Sequence, residues 1–203
     1  LAELGLTAQG GRQAQVTDIT TDSRTVRAGA LFAALPGTQV HGAQFIPAAL
    51  DAGAAAILTD AAGARLSHEA LAGSDAALIV AEDPRQTLAY AAALWFGAQP
   101  ETVVAVTGTN GKTSVATFIR QIWEGLGLAA VNLGTTGVEG AVRAPMTHTT
   151  PEPVTLHRLL ERCAREGVTH AAMEASSHGL DQRRLDGVRL AAAAFTNITQ
   201  DHL

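Results

Sequence analysis

The sequence predicts an α/β protein with largely parallel sheets. Short apolar runs recur along the chain, segments with helical apolar spacing fall between them, and Gly- or Pro-containing breaks separate the two. Strands apolar on both faces suit a parallel sheet covered by helices. At 203 residues and 47% hydrophobic, the chain is long enough for one large or two modest cores.

Taken in order, Val16–Thr20, Leu31–Leu35, Ala54–Thr59 and Ala76–Val80 read as strands, and Phe45–Ala52 has helical spacing. Pro84 suits a first helical turn, where a missing N–H costs nothing. Leu88, Ala91, Ala92 and Trp95 then recur at i, i+3, i+4 and i+7, predicting a helix over 84–96. Gly97-Ala98-Gln99-Pro100 breaks it and marks a domain boundary, giving domains 1–98 and 99–203. Val103–Thr107 is the next strand. Val115, Phe118, Ile119, Ile122, Trp123 and Leu126 predict one apolar helix face. Ala129–Leu133 is a strand, and Leu156, Leu159, Leu160 and Cys163 mark a helix. His170–Glu174 and Ala191–Thr196 complete the strands. Trp95, Trp123 and the five Phe sit mostly at core spacing and are expected inside.

A net charge of −5 leaves no electrostatic footprint for nucleic acid. Cys163 is the only cysteine, so no internal disulfide forms, which fits a reducing cytoplasm. No apolar run approaches the ~20 residues needed to span a membrane, and no signal segment opens the chain. Leu1 in place of a methionine suggests a trimmed amino end.

Lys112 is the only lysine; the other thirteen Lys/Arg positions are arginine. It lies in Val103-Val-Ala-Val-Thr-Gly-Thr-Asn-Gly-Lys-Thr-Ser114: an apolar strand, a Gly-rich turn, then Gly-Lys-Thr opening a helix. Gly108 and Gly111 let the backbone turn and bring N–H groups to phosphate oxygens. The helix N-terminus points its partial positive charge at the same place. Lys112 reaches the β- and γ-phosphates, and the Thr113 hydroxyl holds Mg²⁺. The standard pattern is G-x-x-x-x-G-K-[ST]; Val106 stands at its first glycine, so this loop is a variant.

With its loop written Thr107-Gly-Thr-Asn-Gly-Lys-Thr113, the chain resembles the Mur ligases of peptidoglycan synthesis. Other segments match in the family's order: Thr21-Asp-Ser-Arg24, Gly29-Ala-Leu-Phe-Ala-Ala-Leu-Pro-Gly37, Thr149-Thr-Pro-Glu152, Met173-Glu-Ala-Ser-Ser-His-Gly-Leu180 with Arg184, and Phe195-Thr-Asn-Ile198 running into Asp201-His-Leu203. Within the family the first two are similar to the enzymes that add the third or fourth residue, and the others are most similar to those that add the third amino acid. Glu-Ala-Ser-Ser-His and Thr-Thr-Pro-Glu speak against the fourth-residue enzymes and the folate-type glutamate ligases.

The resemblance implies a small Rossmann-like amino-terminal domain holding the UDP-sugar, followed by part of a P-loop NTPase-like parallel-sheet domain holding ATP. It implies an ATP-dependent ligase that joins a free diamino acid to UDP-N-acetylmuramoyl-L-alanyl-D-glutamate through an acyl phosphate. It implies a cytoplasmic monomer with no nucleic-acid or membrane partner. The family carries a carbamylated lysine shortly after Asp-His-Leu. Lys112 is already committed, so the resemblance implies a fragment, incomplete at its carboxyl end, that binds but does not turn over.

The resemblance also carries residue roles. Gly108, Thr109, Asn110, Gly111, Lys112, Thr113 and Ser114 would bind ATP. Thr113, Glu174 and His202 would hold Mg²⁺, with Lys112, Glu174 and His202 catalytic. From the residues alone, Glu174 is a strand-end acid at a ligand crevice, and His202 is an exposed loop histidine, imidazole being an uncommon magnesium ligand. Thr149, Thr150, Ser176, Gln182 and Arg184 would contact the muramoyl-peptide, although the Thr149-Thr150 hydroxyls equally suit a cap for the helix near Val154. His148 and His178 are neighbours of these segments. Ser23, Arg24, Thr38, Gln39 and Val40 would contact the uridine diphosphate. By spacing alone Asp22-Ser23 is an ordinary Asx turn, and His41-Gly42 departs from the family's usual Asp-Gly.

A guanine-binding Asn-Lys-x-Asp motif is impossible with one lysine, which argues against a GTPase. A binding module without turnover remains open; ATP affinity and turnover, measured separately, discriminate the two.

Overall fold

The computed structural model describes residues 7–11 and 14–199, and the chain divides into two compact units, Leu1–Ala91 and Ala92–Leu203.

In the first unit, β1 (Asp18–Thr20), β2 (Ala30–Ala33), β3 (Ala56–Thr59) and β4 (Ala77–Val80) form a parallel sheet in the order β1-β2-β3-β4. Register is set by pairs such as Phe32↔Ile57 and Ile57↔Leu78. Every residue of β2 and β3 is buried, as expected for parallel strands covered on both faces. Phe32, Ile46 and Ile57 centre the core; each contributes ~1.5–3 kcal/mol. Helix α1 (Ile46–Asp51) has Pro47 in its first turn. Helix α2 (Ala61–Leu66) is capped by Asp60, which accepts from Gly63 N–H at 2.7 Å, and α3 (His68–Ala72) follows. Helix α4 (Pro84–Phe96) runs across the division between the units, and Leu88, Ala89 and Ala92 on it are buried.

The second unit has β5 (Thr102–Thr107), β6 (Ala130–Gly134), β7 (Gly137–Gly140), β8 (His170–Glu174) and β9 (Leu190–Phe195), ordered β7-β6-β8-β5-β9. All pairings are parallel except β6 with β7. Helix α5 (Lys112–Gly125) follows β5, α6 (Pro153–Arg165) precedes β8, and α7 (Ser177–Asp181) follows it. Pro153 opens α6, and its buried face is Val154, Leu156, His157, Leu160 and Cys163. Val103, Val131, Leu133 and Met173 complete the core.

Three expectations need correction. The aromatics are not uniformly core: Phe32 is 1% exposed, but Phe118 is 59%, Phe195 57% and Trp95 43%. The α5 apolar face is two stripes. Ala116 is buried, Val115, Ile119 and Trp123 are half-buried, and Phe118, Ile122 and Leu126 at i, i+4 and i+8 are exposed. Every residue of β9 is exposed, and its one strand partner is β5. Spacing reports which residues share a face, not whether that face is covered. The hairpin strand β7 and the short helices α2, α3 and α7 were not anticipated. None of the described helices is long and apolar enough to cross a membrane.

Candidate functional site

The loop expected to hold phosphate is a glycine turn between the end of β5 and the start of α5. Gly108 has φ +130° and Gly111 φ +88°, conformations that favour glycine. Gly111 is the N-cap of α5, so Lys112, Thr113 and Ser114 form its first turn. First-turn N–H groups lack intrahelical partners and suit an anion. The Lys112 ammonium folds over the loop and donates to the carbonyls of Gly108 (2.7 Å) and Thr109 (3.2 Å). A phosphate bound there would exchange those two bonds to neutral carbonyls for bonds between opposite charges.

Glu174 ends β8, directly beside Val106 of β5 in the parallel register. It is 2% exposed. Its Oε1 accepts from Thr135 N–H at 2.9 Å and its Oε2 from the Thr135 hydroxyl at 3.4 Å. Gly134 leaves room for it: a Cβ there would lie 1.9 Å from Oε1. Among the described residues no cationic side chain pairs with this carboxylate. A buried anion held only by neutral donors is costly unless a cation joins it. No group of three or more His, Cys, Asp or Glu is gathered among the described residues, so no all-protein metal cage forms there. Magnesium does not require one. It is held by one or two protein oxygens together with phosphate oxygens and water, and Glu174 with Thr113 fits that donor set. His202 lies outside the described residues.

Thr150 ties the next group together. It is 1% exposed; its hydroxyl donates to Glu174 O (3.0 Å) and accepts from Ser176 N–H (3.0 Å). Thr149 Oγ1 lies 3.0 Å from Thr135 Oγ1. Arg184 donates to Thr150 O through Nη1 (2.6 Å) and grips Gln182 Oε1 through Nε (3.2 Å) and Nη2 (2.7 Å). Arg183 between them has φ +59°, the only non-glycine in the left-handed region among the described residues. Ser176 caps α7 through Gly179 N–H at 3.0 Å. Thus Glu174, Thr149, Thr150, Ser176, Gln182 and Arg184 form one connected set. Thr149 and Thr150 do not cap α6. Glu152 does, accepting from Val154 N–H (2.9 Å) and Thr155 N–H (2.7 Å), because its two oxygens reach both orphan donors. His148 is exposed beside Thr147, and His178 is exposed on α7.

In the first unit, Ser23 and Arg24 follow β1, and Thr38, Gln39 and Val40 follow β2, so both loops occupy the carboxyl edge of that sheet. The Asx-turn reading holds: Asp22 accepts from Arg24 N–H at 3.0 Å. The Arg24 guanidinium also forks onto Asp22, Nε to Oδ1 at 2.9 Å and Nη2 to Oδ2 at 2.7 Å. That contact holds the Asp22 carboxyl down at about 2. Thr38, Gln39 and Val40 are exposed. His41 replaces an acidic cap: its Nδ1 accepts from Ala43 N–H at 3.0 Å, which leaves Nε2 to donate to Asp60 at 3.1 Å.

Gly134 and Thr135 were not anticipated as site residues. The signal was available: Gly134-Thr-Thr-Gly137 after an apolar strand has the same form as Gly108-Thr-Asn-Gly111.

Residues 15–95 match the family model described as Mur ligase family, catalytic domain, and residues 106–203 that of the Mur ligase middle domain. A UDP-N-acetylmuramoyl-L-alanyl-D-glutamate--2,6-diaminopimelate ligase of Brucella melitensis is 56% identical over 192 residues, covering 94% of this chain and 38% of that protein. The protein of the same name in Rhizobium meliloti is 55% identical over 190 residues, covering 93% and 38%. A solved structure with this ligase name superposes at TM-score 0.78 and 31% identity, covering 93% of this chain and 37% of that one. A MurF ligase of Thermotoga maritima shares the fold at TM-score 0.58 and 22% identity, covering 91% and 38%. The chain spans about 38% of the length of these curated relatives.

Proposed function

The chain belongs to the Mur ligase family and carries its amino-terminal and middle domains, and from that premise we propose that it serves an ATP-dependent ligase of peptidoglycan precursor synthesis. The enzyme joins a free diamino acid to UDP-N-acetylmuramoyl-L-alanyl-D-glutamate. The relatives' names point to 2,6-diaminopimelate as that amino acid. Residues 1–98 are the UDP-sugar domain and 99–203 the ATP domain of a monomer acting in the cytoplasm, without nucleic-acid or membrane partners.

One observation carries the reading. A phosphate loop with its lysine and a buried carboxylate lacking a described cation partner arise at the carboxyl ends of two paired strands, β5 and β8. Ligands of open α/β sheets gather at that edge.

In the proposed reaction the γ-phosphoryl group passes from ATP to an oxygen of the substrate carboxylate, giving ADP and an acyl phosphate. The amine of the incoming amino acid attacks the acyl carbon. The C–O bond to phosphate breaks, inorganic phosphate leaves, and the nitrogen gives up a proton. Such transfers are governed by positioning and charge neutralisation. Lys112 leaves the carbonyls of Gly108 and Thr109 for the β- and γ-oxygens. The N–H groups around Gly111 and Thr113 bind the same phosphates, with Thr109, Asn110 and Ser114 shaping the loop. Thr113 and Glu174, with His202 from beyond the described residues, would hold Mg²⁺, which neutralises charge building on the transferred group. Thr149, Ser176 and Gln182 face the muramoyl-peptide. Thr150 and Arg184 act mainly by holding that wall, since their polar groups already serve it. Ser23, Arg24, Thr38, Gln39 and Val40 receive the uridine diphosphate.

The test is ADP release by the full-length protein with the muramoyl-dipeptide nucleotide and a panel of amino acids. Lys112→Ala is expected to slow it at least ~100-fold. Ligation near the wild-type rate in that variant would sink the assignment of the loop.

A further inference from the structure

We propose that Thr196 and Asn197, the two residues that follow β9, are positioning residues that hold the phosphate loop in its binding shape; this rests on the reading of that loop given above. The two segments lie nearly ninety residues apart in sequence, and the sheet order brings them together because β9 pairs directly with β5.

The contacts are unusually dense and specific. Thr196 N–H donates to Thr107 O at 3.0 Å, continuing the β5–β9 ladder one residue past the end of β9. The Asn197 carboxamide then pairs with the main chain of Asn110 on both edges. Its Nδ2 donates to Asn110 O at 3.0 Å, and its Oδ1 accepts from Asn110 N–H at 3.2 Å. The Thr196 hydroxyl lies 2.7 Å from Asn110 O and 3.2 Å from Thr107 O. Thr109 N–H donates to Asn197 O at 3.1 Å, and Thr109 Oγ1 bonds Thr199 at O (2.9 Å) and N (3.1 Å). Gly108 is pressed against this tail: a Cβ there would lie 2.1 Å from Thr196 Oγ1 and 3.0 Å from Asn197 N.

A division of labour follows from this geometry. The tail occupies the N–H groups of Thr109 and Asn110 and the carbonyl of Asn110. The first-turn N–H groups of α5 have no helical partner and are left for an anion. Without a ligand, a ring of converging N–H dipoles and an ammonium repels itself. Lys112 already draws in the Gly108 and Thr109 carbonyls, and a loop lacking the tail would close further that way. A loop held open in advance loses less freedom on binding and binds more tightly. Asparagine suits the role because it presents a donor and an acceptor side by side. Aspartate would keep the acceptor, set an anion against Asn110 O, and add negative charge beside the phosphates.

The test uses the full-length protein and two readouts, ADP affinity by calorimetry and amide hydrogen exchange of the peptide spanning 107–112. Asn197→Ala removes two neutral hydrogen bonds and is expected to weaken ADP roughly ten-fold. It should also speed exchange at 109–111 in the nucleotide-free protein, the difference closing at saturating ADP. Asn197→Asp should weaken ADP more than Asn197→Ala. Thr196→Val, nearly isosteric, should weaken ADP several-fold while Thr196→Ser restores it, which keeps the proposal testable should the Asn197 variants fail to fold. Wild-type ADP affinity and exchange in Asn197→Ala, or in Thr196→Val where the former does not fold, would overturn the proposal. Lys112→Ala separates the two readings. If it also leaves ADP affinity unchanged, the loop assignment itself has failed; if it alone weakens ADP, only the brace has.

Discussion

Gly134→Ala is the sharpest probe of the carboxylate site. The added Cβ would lie 1.9 Å from Glu174 Oε1, 2.5 Å from Cδ and 2.8 Å from Cγ, against an ordinary contact of 3.4 Å or more. Glu174 must therefore retreat by about 1.5 Å, or β6 must move by as much. Retreat breaks the 2.9 Å bond from Thr135 N–H, a charge-assisted contact worth ~1.5–3 kcal/mol. Overpacking adds ~1–3 kcal/mol. A chain of this size should then melt roughly 5–25 °C lower. A reacting-centre displacement near 1 Å is worth on the order of 10² in rate, so if the proposed reaction holds, kcat for ADP release by the full-length protein should fall about 100-fold. The magnesium concentration giving half-maximal rate should rise. Gly125→Ala is the control: nothing lies within 4 Å of its Cβ, and alanine is the better helix former by ~1 kcal/mol. A Gly134→Ala enzyme within three-fold of wild type, with unchanged magnesium dependence, would refute the placement of Glu174 in the metal site.

Two further predictions concern α6. His157 is 1% exposed and bonds Asp186 O at 3.1 Å through Nε2, so that nitrogen carries the proton. Burial pushes its pKa below the ordinary 6.5. A depressed pKa means the unfolded chain binds the proton more readily. The stability contribution is thus fully present above about pH 6.5 and lost as pH falls below it. The melting temperature should drop between pH 7 and pH 5, with a limiting slope of ~1.4 kcal/mol per pH unit from this group, and His157→Gln should flatten that drop; identical slopes would refute it. Cys163 is 1% exposed, and burial, then the Glu166 charge, push its thiol up to about 11. Ellman's reagent at pH 8 should modify the folded protein at least ~100-fold more slowly than the unfolded chain, and equal rates would show that α6 opens.

Every strand but β7 was legible to within about two residues, because short apolar runs between breaks encode them locally. The strand–glycine turn–helix layout around Lys112 was legible for the same reason: strand, turn, lysine and helix are contiguous. The short helices α2 and α3 were not, since at six and five residues they complete too few turns to show a period. Strand β7 escaped because Gly137-Val-Glu-Gly140 carries little β propensity and is held by pairing with β6. Glu174 was legible as a strand-end acid. What holds it was not: Gly134 at the end of β6 and Thr135 just after it reach it from about forty residues earlier.

Contiguous residues settled where this chain turns, where α5 starts and which lysine sits in the glycine loop, because those outcomes depend on φ preferences and helix ends that neighbours dictate. Folding in three dimensions settled the rest. Sheet order, not sequence distance, set Asn197 against Asn110 and Glu174 beside the loop strand. It also settled which apolar residues are covered, leaving Phe118 and Ile122 outside while Phe32 is sealed in. Strand pairing and burial are long-range properties: each is determined by what another segment presents, which no local window contains.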